Sequence, residues 1–183
     1  CLVVSGGHSH IVMVEDYTKM RVIGRTRDDA AGEAFDKAAR TMGMPYPGGI
    51  HLDKVADEGN PNAYTLPFPK VVNSPYDFSF SGLKTAVINL IHNASQKGEE
   101  VDIPVLAATL RQKVCDMLIE NTFKAAEELG RKTIVLAGGV SANSELRARM
   151  EAECRKRGIS FFRPVSCERE LTRAIEMAGV ISR

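Results

Sequence analysis

Acidic side chains and glycines in residues 28–53, D-D-A-A-G-E-A-F-D-K-A-A-R-T-M-G-M-P-Y-P-G-G-I-H-L-D, are spaced to hold a polar ligand. Read as a helix from near Asp29, the stretch puts Asp29, Glu33, Asp36 and Arg40 on one face and Ala31, Ala34, Phe35, Ala38 and Met42 on or near the other. The acidic side is then not the packing side. Gly32 inside the helix disfavours it by about 1 kcal/mol relative to Ala, which predicts a neighbour or ligand too close for a methyl group. Pro45, Pro47 and the Gly48-Gly49 pair predict a rigid loop with exposed amides, followed by an amphipathic run over residues 51–58 that carries Asp53. The helix acids, the glycine amides and Asp53 can converge on one ligand. The plainer alternative is a solvated helix, because Glu33 with Lys37 and Asp36 with Arg40 are i,i+4 pairs contributing roughly 0.2 to 0.5 kcal/mol each.

Two further glycine turns have phosphate-binding chemistry. Val3-Val4-Ser5-Gly6-Gly7-His8 reads as a strand end and tight turn, either an ordinary hairpin or a nest of amides facing an anion. Residues 133–137 read as a buried strand, Gly138-Gly139-Val140 as a turn, and Ser141-Ala142-Asn143 as the entry to a helix. That arrangement lays unpaired helix amides against a phosphate, and Asn143 is either a cap or a side chain aimed at the ligand. His8 and His10 share one strand face, but a shared metal would need a third ligand.

The elements that must position these groups alternate. Strands are expected over residues 2–4, 10–15, 20–24, 133–137 and 159–162, with a further short one at 70–72. A helix is expected from Ser81, as its N-cap, to about Asn93, with Phe78 and Phe80 packing on one side of the preceding extended piece. Lys84 in its first turn faces a ligand, a partner or water, water being the default. Leu106, Leu110, Val114, Met117, Leu118 and Leu129 mark one long helix or two over residues 103–129, and residues 168–182 suggest a terminal helix.

With 183 residues and 44% hydrophobic content the chain can bury a core as one domain or one large lobe. A net charge of +1 argues against affinity that comes mainly from a broad basic surface, although a local patch or a partner subunit could still meet nucleic acid. The basic residues Arg147, Arg149, Arg155, Lys156 and Arg157 are interleaved with Glu151 and Glu153, as on an ordinary solvated face, although RNA phosphates are the other reading. Cys1, Cys115, Cys154 and Cys167 are scattered, without the density of a disulfide framework, which points to a reducing, cytoplasmic setting. No apolar run is long enough for a membrane span. The opening inside an apolar strand, without an initiator methionine, reads as a piece of a longer polypeptide.

The combination of glycine turns on alternating strands and helices resembles part of an α/β actin-like ATPase (ribonuclease H-like) fold, an incomplete lobe of a two-lobe protein. More specific phrases occur in order: V-V-S-G-G-H-S-H at residues 3–10, D-D-A-A-G-E-A-F-D-K at 28–37, Y-P-G-G at 46–49, D-F-S-F-S-G-L-K-T at 77–85 and V-L-A-G-G-V-S-A-N at 135–143. Together they resemble the tRNA threonylcarbamoyladenosine-forming transferase family in its bacterial form, formerly labelled O-sialoglycoprotein endopeptidase. The resemblance covers about the first 165 residues, as most of a C-terminal lobe, and leaves residues 168–183 unmatched.

It implies transfer of threonylcarbamoyl from threonylcarbamoyl-AMP to the exocyclic amine of the adenosine 3′ of the anticodon. It also implies that Val3, Val4, Ser5, Gly6 and Gly7 line the phosphate and acyl region through their backbone, and that Asp36, Gly49, Asp53 and Asn143 bind ribose and adenine. No catalytic residue is named. The family's partners in bacteria are a smaller inactive paralogue and a P-loop ATPase subunit. Its divalent metal, iron or zinc, is held by an upstream H-x-x-x-H pair and a downstream Asp, and neither has a counterpart here: the histidines are His8, His10, His51 and His92, and Glu168-Arg169-Glu170-Leu171 follow Cys167 where C-T-D-N belongs. The isolated chain is therefore expected to be inactive or nearly so. The competing readings are a non-catalytic nucleotide-binding partner in a tRNA-modifying assembly, and an actin-like ATPase or sugar kinase. A protease finds no support, since there is no H-E-x-x-H.

Overall fold

Alternation of apolar and polar residues settles which side of the sheet carries the helices. The structure is a computed structural model that describes residues 1–16 and 18–163. Strands β1 (Leu2–Val4), β2 (Ser9–Asp16) and β3 (Lys19–Arg25) form an antiparallel meander. β4 (Thr133–Ala137) runs parallel to β1 on its other side, and β5 (Ser160–Phe162) parallel to β4, giving the order β3-β2-β1-β4-β5. In β2, Ser9, Ile11 and Met13 are buried while His10, Val12 and Val14 are only half-buried. Leu2, Val4 and Ile11 join Ile134 and Leu136 in the core that the helices cover.

The helices are α1 (Ala31–Thr41), α2 (Gly48–Ala56), α3 (Ser81–Lys97), α4 (Ile103–Glu128) and α5 (Ser144–Arg157). The apolar stripe of residues 103–129 forms one continuous helix, with Leu106, Leu110, Val114, Met117 and Leu118 buried. Asp102 caps it by accepting the Val105 amide at 3.1 Å. α1 buries Ala31, Ala34, Phe35, Ala38 and Met42, as its spacing predicts. Phe78 and Phe80 stack with ring centroids 5.8 Å apart and are fully buried.

Several boundaries differ from expectation. α2 begins at Gly48 rather than near residue 51, so the glycine pair forms the first helical turn instead of a loop. Residues 70–72 make no strand; the extended pairing in this region is a single bridge from Phe78 to Thr26. α3 runs to Lys97 and ends at Gly98 in the left-handed region (φ 69°). The suggested helix over residues 168–182 lies outside the described residues. Among the described residues no helix is long and apolar enough to cross a membrane.

Ser81 is not the cap of α3; it is the first helical residue, and a carboxylate distant in sequence does the capping. Asp28 accepts the amides of Phe80 (2.7 Å) and Ser81 (3.1 Å) and the hydroxyls of Ser79 (2.5 Å) and Ser81 (2.8 Å). Lys84, for which water was the default, has its ammonium 2.6 Å from Asp29, which also pairs with Lys37. A cation in a first helical turn opposes the helix dipole, and pairing with Asp29 offsets that cost here.

Burial alone would push the Asp28 carboxyl up, but the hydrogen bonds from Ser79, Phe80 and Ser81 outweigh it and hold it below the ordinary carboxylate value. A depressed folded-state value contributes stability above the unfolded value of about 4, lost as pH falls through the lower folded one. Asp28→Asn is therefore expected to destabilise the chain by about 1–2 kcal/mol at pH 7, allowing for screening at this exposed site. The deficit should shrink below pH 4. Urea unfolding at pH 7 and pH 3 checks this, and a deficit that grows on acidification would contradict it.

Candidate functional site

Because β1 and β4 are parallel, with Val3 paired to Ala137, their C-terminal turns leave the sheet side by side. At the end of β1 the Ser5 amide donates to the His8 carbonyl (2.8 Å), and the Ser5 hydroxyl accepts the amides of His8 (3.0 Å) and Gly7 (3.4 Å). The turn thus closes on itself and leaves Gly6 and Gly7 exposed, with nothing within 4 Å of where a Cβ would stand. α1 starts against its back. The Gly32 amide donates to the Ser5 carbonyl (3.2 Å), and a Cβ on Gly32 would lie 2.6 Å from that oxygen. This is the close neighbour that a glycine inside the helix predicted.

At the end of β4, Gly138 takes φ 93°, and a Cβ there would lie 2.2 Å from the Val4 carbonyl oxygen. A 3-10 turn, Gly139–Ala142, then leads to α5 and lies against both β1 and α1. Asn143 caps α5, its Oδ1 accepting the Leu146 amide at 2.9 Å. Its Nδ2 donates to Asp53 Oδ1 at 2.8 Å, so the side chain caps and reaches across to α2 at once.

α2 is tied on at two points. Asp36 Oδ1 accepts the Gly49 amide at 3.0 Å, so that amide is engaged rather than exposed, contrary to expectation. A carboxylate on α1 reached it because the loop folds straight into a helix. Asp53 accepts from Asn143, from the Ser144 hydroxyl (3.0 Å) and amide (2.9 Å), and from Arg111 Nη1 (3.0 Å). Of the expected surface pairs, Lys37 with Glu33 forms at 2.5 Å.

The structure brings Val3, Val4, Ser5, Gly6 and Gly7 next to the β4 turn and Asn143, and it links Asp36 with Gly49 and Asp53 with Asn143. A cleft of about 370 Å3 beside Cys1, Val12 and Ile134, and one of about 540 Å3 beside Arg25, Arg27 and Asp77, include none of these nine residues.

Arg111 is the contributor that the sequence did not reveal. It sits on α4 with 8% exposure and holds Asp53, Asp57 (2.7 Å) and Glu145 (2.9 Å) together. Its only sequence signal is an arginine inside the apolar stripe, between Leu110 and Val114.

The His8 and His10 rings meet edge to face at 5.4 Å. Burial, then the neighbouring His8 and Arg25, lower the His10 value. Among the described residues no group of three or more His, Cys, Asp or Glu side chains is placed to hold a metal, so the residues described here do not fit the divalent metal that the resemblance implies. On α5, Arg149 pairs with Asp116 and Glu145, Arg155 with Glu151, and Arg157 with Glu153 and Glu127, while Arg147 donates to the Ser141 carbonyl.

Comparison with known proteins bears on the fold and the family. Two solved structures share the fold: full-length HypF in its phosphate- and nucleotide-bound form (18% identity, TM-score 0.53, 74% of this chain and 21% of that one) and the Clostridium difficile 2-hydroxyisocaproyl-CoA dehydratase activator with bound ADPNP (14%, TM-score 0.52, 97% and 57%). The fold is mixed α/β, of the actin-like ATPase type. Among curated relatives, the tRNA N6-adenosine threonylcarbamoyltransferase of Bacillus thuringiensis (strain Al Hakam) is 53% identical over 154 residues, 83% of this chain and 44% of its own length. Those of Desulfitobacterium hafniense (strain Y51) and Moorella thermoacetica are 49% and 50% identical, each over 89% of this chain and 48% of theirs. The chain thus spans less than half the length of these relatives. The model of one family, TsaD, described as tRNA N6-adenosine threonylcarbamoyltransferase, matches residues 1–172, and the chain belongs to that family.

Proposed function

We propose that this chain supplies the nucleotide-gripping lobe of an enzyme that transfers threonylcarbamoyl from threonylcarbamoyl-AMP to the exocyclic amine of the adenosine 3′ of the anticodon in tRNA. The observation that carries the reading is the adjacency of two glycine turns at the ends of parallel strands, with α1, the helix that carries Asp36, starting against the first and the 3-10 turn that leads to Asn143 and α5 following the second. Backbone groups of residues 3–7 meet the phosphate and acyl end, and Asp36, Gly49, Asp53 and Asn143 build the ribose and adenine end. The amine nitrogen attacks the carbamoyl carbon, the bond from that carbon to the phosphate oxygen breaks, AMP leaves, and the proton lost from the amine passes to solvent. The work of the protein is to hold the two reactants in line and to stabilise charge on the carbonyl and phosphate. A divalent metal, iron or zinc, would be held by residues outside those described here. A smaller paralogue and a P-loop ATPase subunit are its partners, and the cytoplasm is its setting.

Asp36 has one oxygen bonded to Gly49 and is half-exposed, so its second oxygen can accept from a ribose hydroxyl. In the complete polypeptide, Asp36→Ala is expected to weaken calorimetric binding of a non-hydrolysable threonylcarbamoyl-adenylate analogue about 10- to 100-fold, the loss of a charged hydrogen bond and of the Gly49 tether. An unmodified protein that does not bind the analogue would sink the proposal.

A further inference from the structure

Beside the Asp36–Gly49 clasp stand large side chains that the nucleotide reading does not use. Tyr46 is 83% exposed and Ile50 57%, one three residues before Gly49 and the other directly after it. The loop that carries Tyr46 is pinned at both ends. The Gly43 amide donates to the Arg40 carbonyl (3.0 Å) and the Met44 amide to the Ala39 carbonyl (2.9 Å), so the chain folds back over the end of α1. Gly48 returns to the same place: a Cβ on it would lie 2.5 Å from the Ala39 Cβ and 3.1 Å from the Asp36 Cα. Two residues of chain reach about 7 Å at most, so Tyr46, midway between Met44 and Gly48, stays beside the last turn of α1. Pro45 and Pro47 restrict the backbone on either side of it. A ring on a pinned loop loses little freedom when a flat partner covers it.

The charges around the ring are positive. Arg40 and Lys54 are exposed, and among the described residues neither side chain has an ion pair. Arg40 stands one residue from Ala39, and Lys54 lies one helical turn from Ile50 on α2. The acids of α2 and its C-cap, Asp53 and Asp57, are engaged by Arg111, and Glu58 lies past the end of the helix. An exposed aromatic, an aliphatic neighbour and unpaired cations are the means by which single-stranded RNA is held: bases stack on the ring and phosphates meet the cations. Lysine is depleted at protein–protein interfaces, which favours RNA over a protein as the occupant.

We propose that Tyr46, Ile50, Arg40 and Lys54 form a docking surface for unpaired nucleotides of the tRNA anticodon loop, with a base on Tyr46 and Ile50 and phosphates on Arg40 and Lys54. This rests on the nucleotide reading above, because the loop must bring its adenosine to the adjoining site. The complete polypeptide is tested by fluorescence anisotropy of a labelled tRNA with an unmodified adenosine 3′ of the anticodon, and by calorimetry with the threonylcarbamoyl-adenylate analogue. Tyr46→Ala is expected to weaken tRNA binding about 5- to 10-fold, the loss of one stacked base, and Tyr46→Phe to stay within about twofold of the parent. Arg40→Gln should lower the slope of log affinity against log salt by about 0.7, one phosphate contact to a single strand. All three variants should bind the analogue within about twofold of the parent, with unchanged unfolding midpoints, since the side chains altered are exposed.

A Tyr46→Ala protein that binds tRNA like the parent would overturn the inference. If that variant instead assembled less well with a protein subunit, the patch would be a protein interface. Equal losses for tRNA and analogue would put the ring on the adenylate and overturn it too. Failure of the unmodified protein to bind the analogue would remove the nucleotide reading itself, whereas binding of the analogue without tRNA would leave that reading standing and overturn this inference alone.

Discussion

Alanine at position 138 is expected to destabilise the chain by about 2–5 kcal/mol, the sum of a left-handed backbone penalty and an overpacked contact. Gly138 takes φ 93°, and the added Cβ would lie 2.2 Å from the Val4 carbonyl oxygen and 2.7 Å from its carbon. Both neighbours are backbone atoms of a central strand, so relief requires β1 and the β4 turn to separate. The loss should also disturb the turn over residues 3–7, which lies directly beyond Val4. Gly139 is the control, since nothing stands within 4 Å of its would-be Cβ. Gly139→Ala should stay within about 0.5 kcal/mol of the parent. Urea unfolding followed by circular dichroism compares the two; equal midpoints for both variants would refute the account.

Much of this architecture was legible in the chain because local pattern and tertiary demand agree. Alternation at residues 10–15 gave β2, the stripe from Leu106 to Leu118 gave α4, and Gly32 announced a close approach that turned out to be the Ser5 carbonyl. What stayed hidden depends on partners far apart in sequence. Ser81 looks like a cap by type and position, but Asp28, more than fifty residues away, accepts the amides that a cap would take. Lys84 looked solvent-facing because nothing nearby in sequence is acidic, whereas folding sets it on Asp29. The glycine pair after Pro47 read as a loop because glycine is a poor helix former. Asp36 offsets that weakness by accepting the Gly49 amide, one of the unpaired donors of a helix start.

Within the candidate site the same distinction holds. The glycine turns were recognisable from composition and spacing, and at Gly138 the close approach to the Val4 carbonyl excludes a side chain. The clamp around Asp53 was not, because its centre, Arg111, lies 58 residues further along the chain on a helix whose periodicity marks it as core. A cation at a core position is the one hint. It demands acidic partners, and only the fold shows that Asp53, Asp57 and Glu145 supply them.

That demand makes Arg111→Met the other large effect, a loss of about 2–4 kcal/mol. Removing one member of a buried ion pair strands the remaining charge, typically at 3–5 kcal/mol, and the figure is reduced here because Asp57 is 63% exposed and keeps its water. Asp53 and Glu145, at 18% and 20%, suffer most. Arg111→Lys should recover only part of the loss, since one ammonium cannot reproduce a planar fork that serves α2 and α5 together. Relief should follow burial: adding Glu145→Gln to Arg111→Met should restore more stability than adding Asp57→Asn. Urea midpoints of the five proteins test that order, and an Arg111→Met variant within about 0.5 kcal/mol of the parent would mean that the buried guanidinium does not hold the helices together.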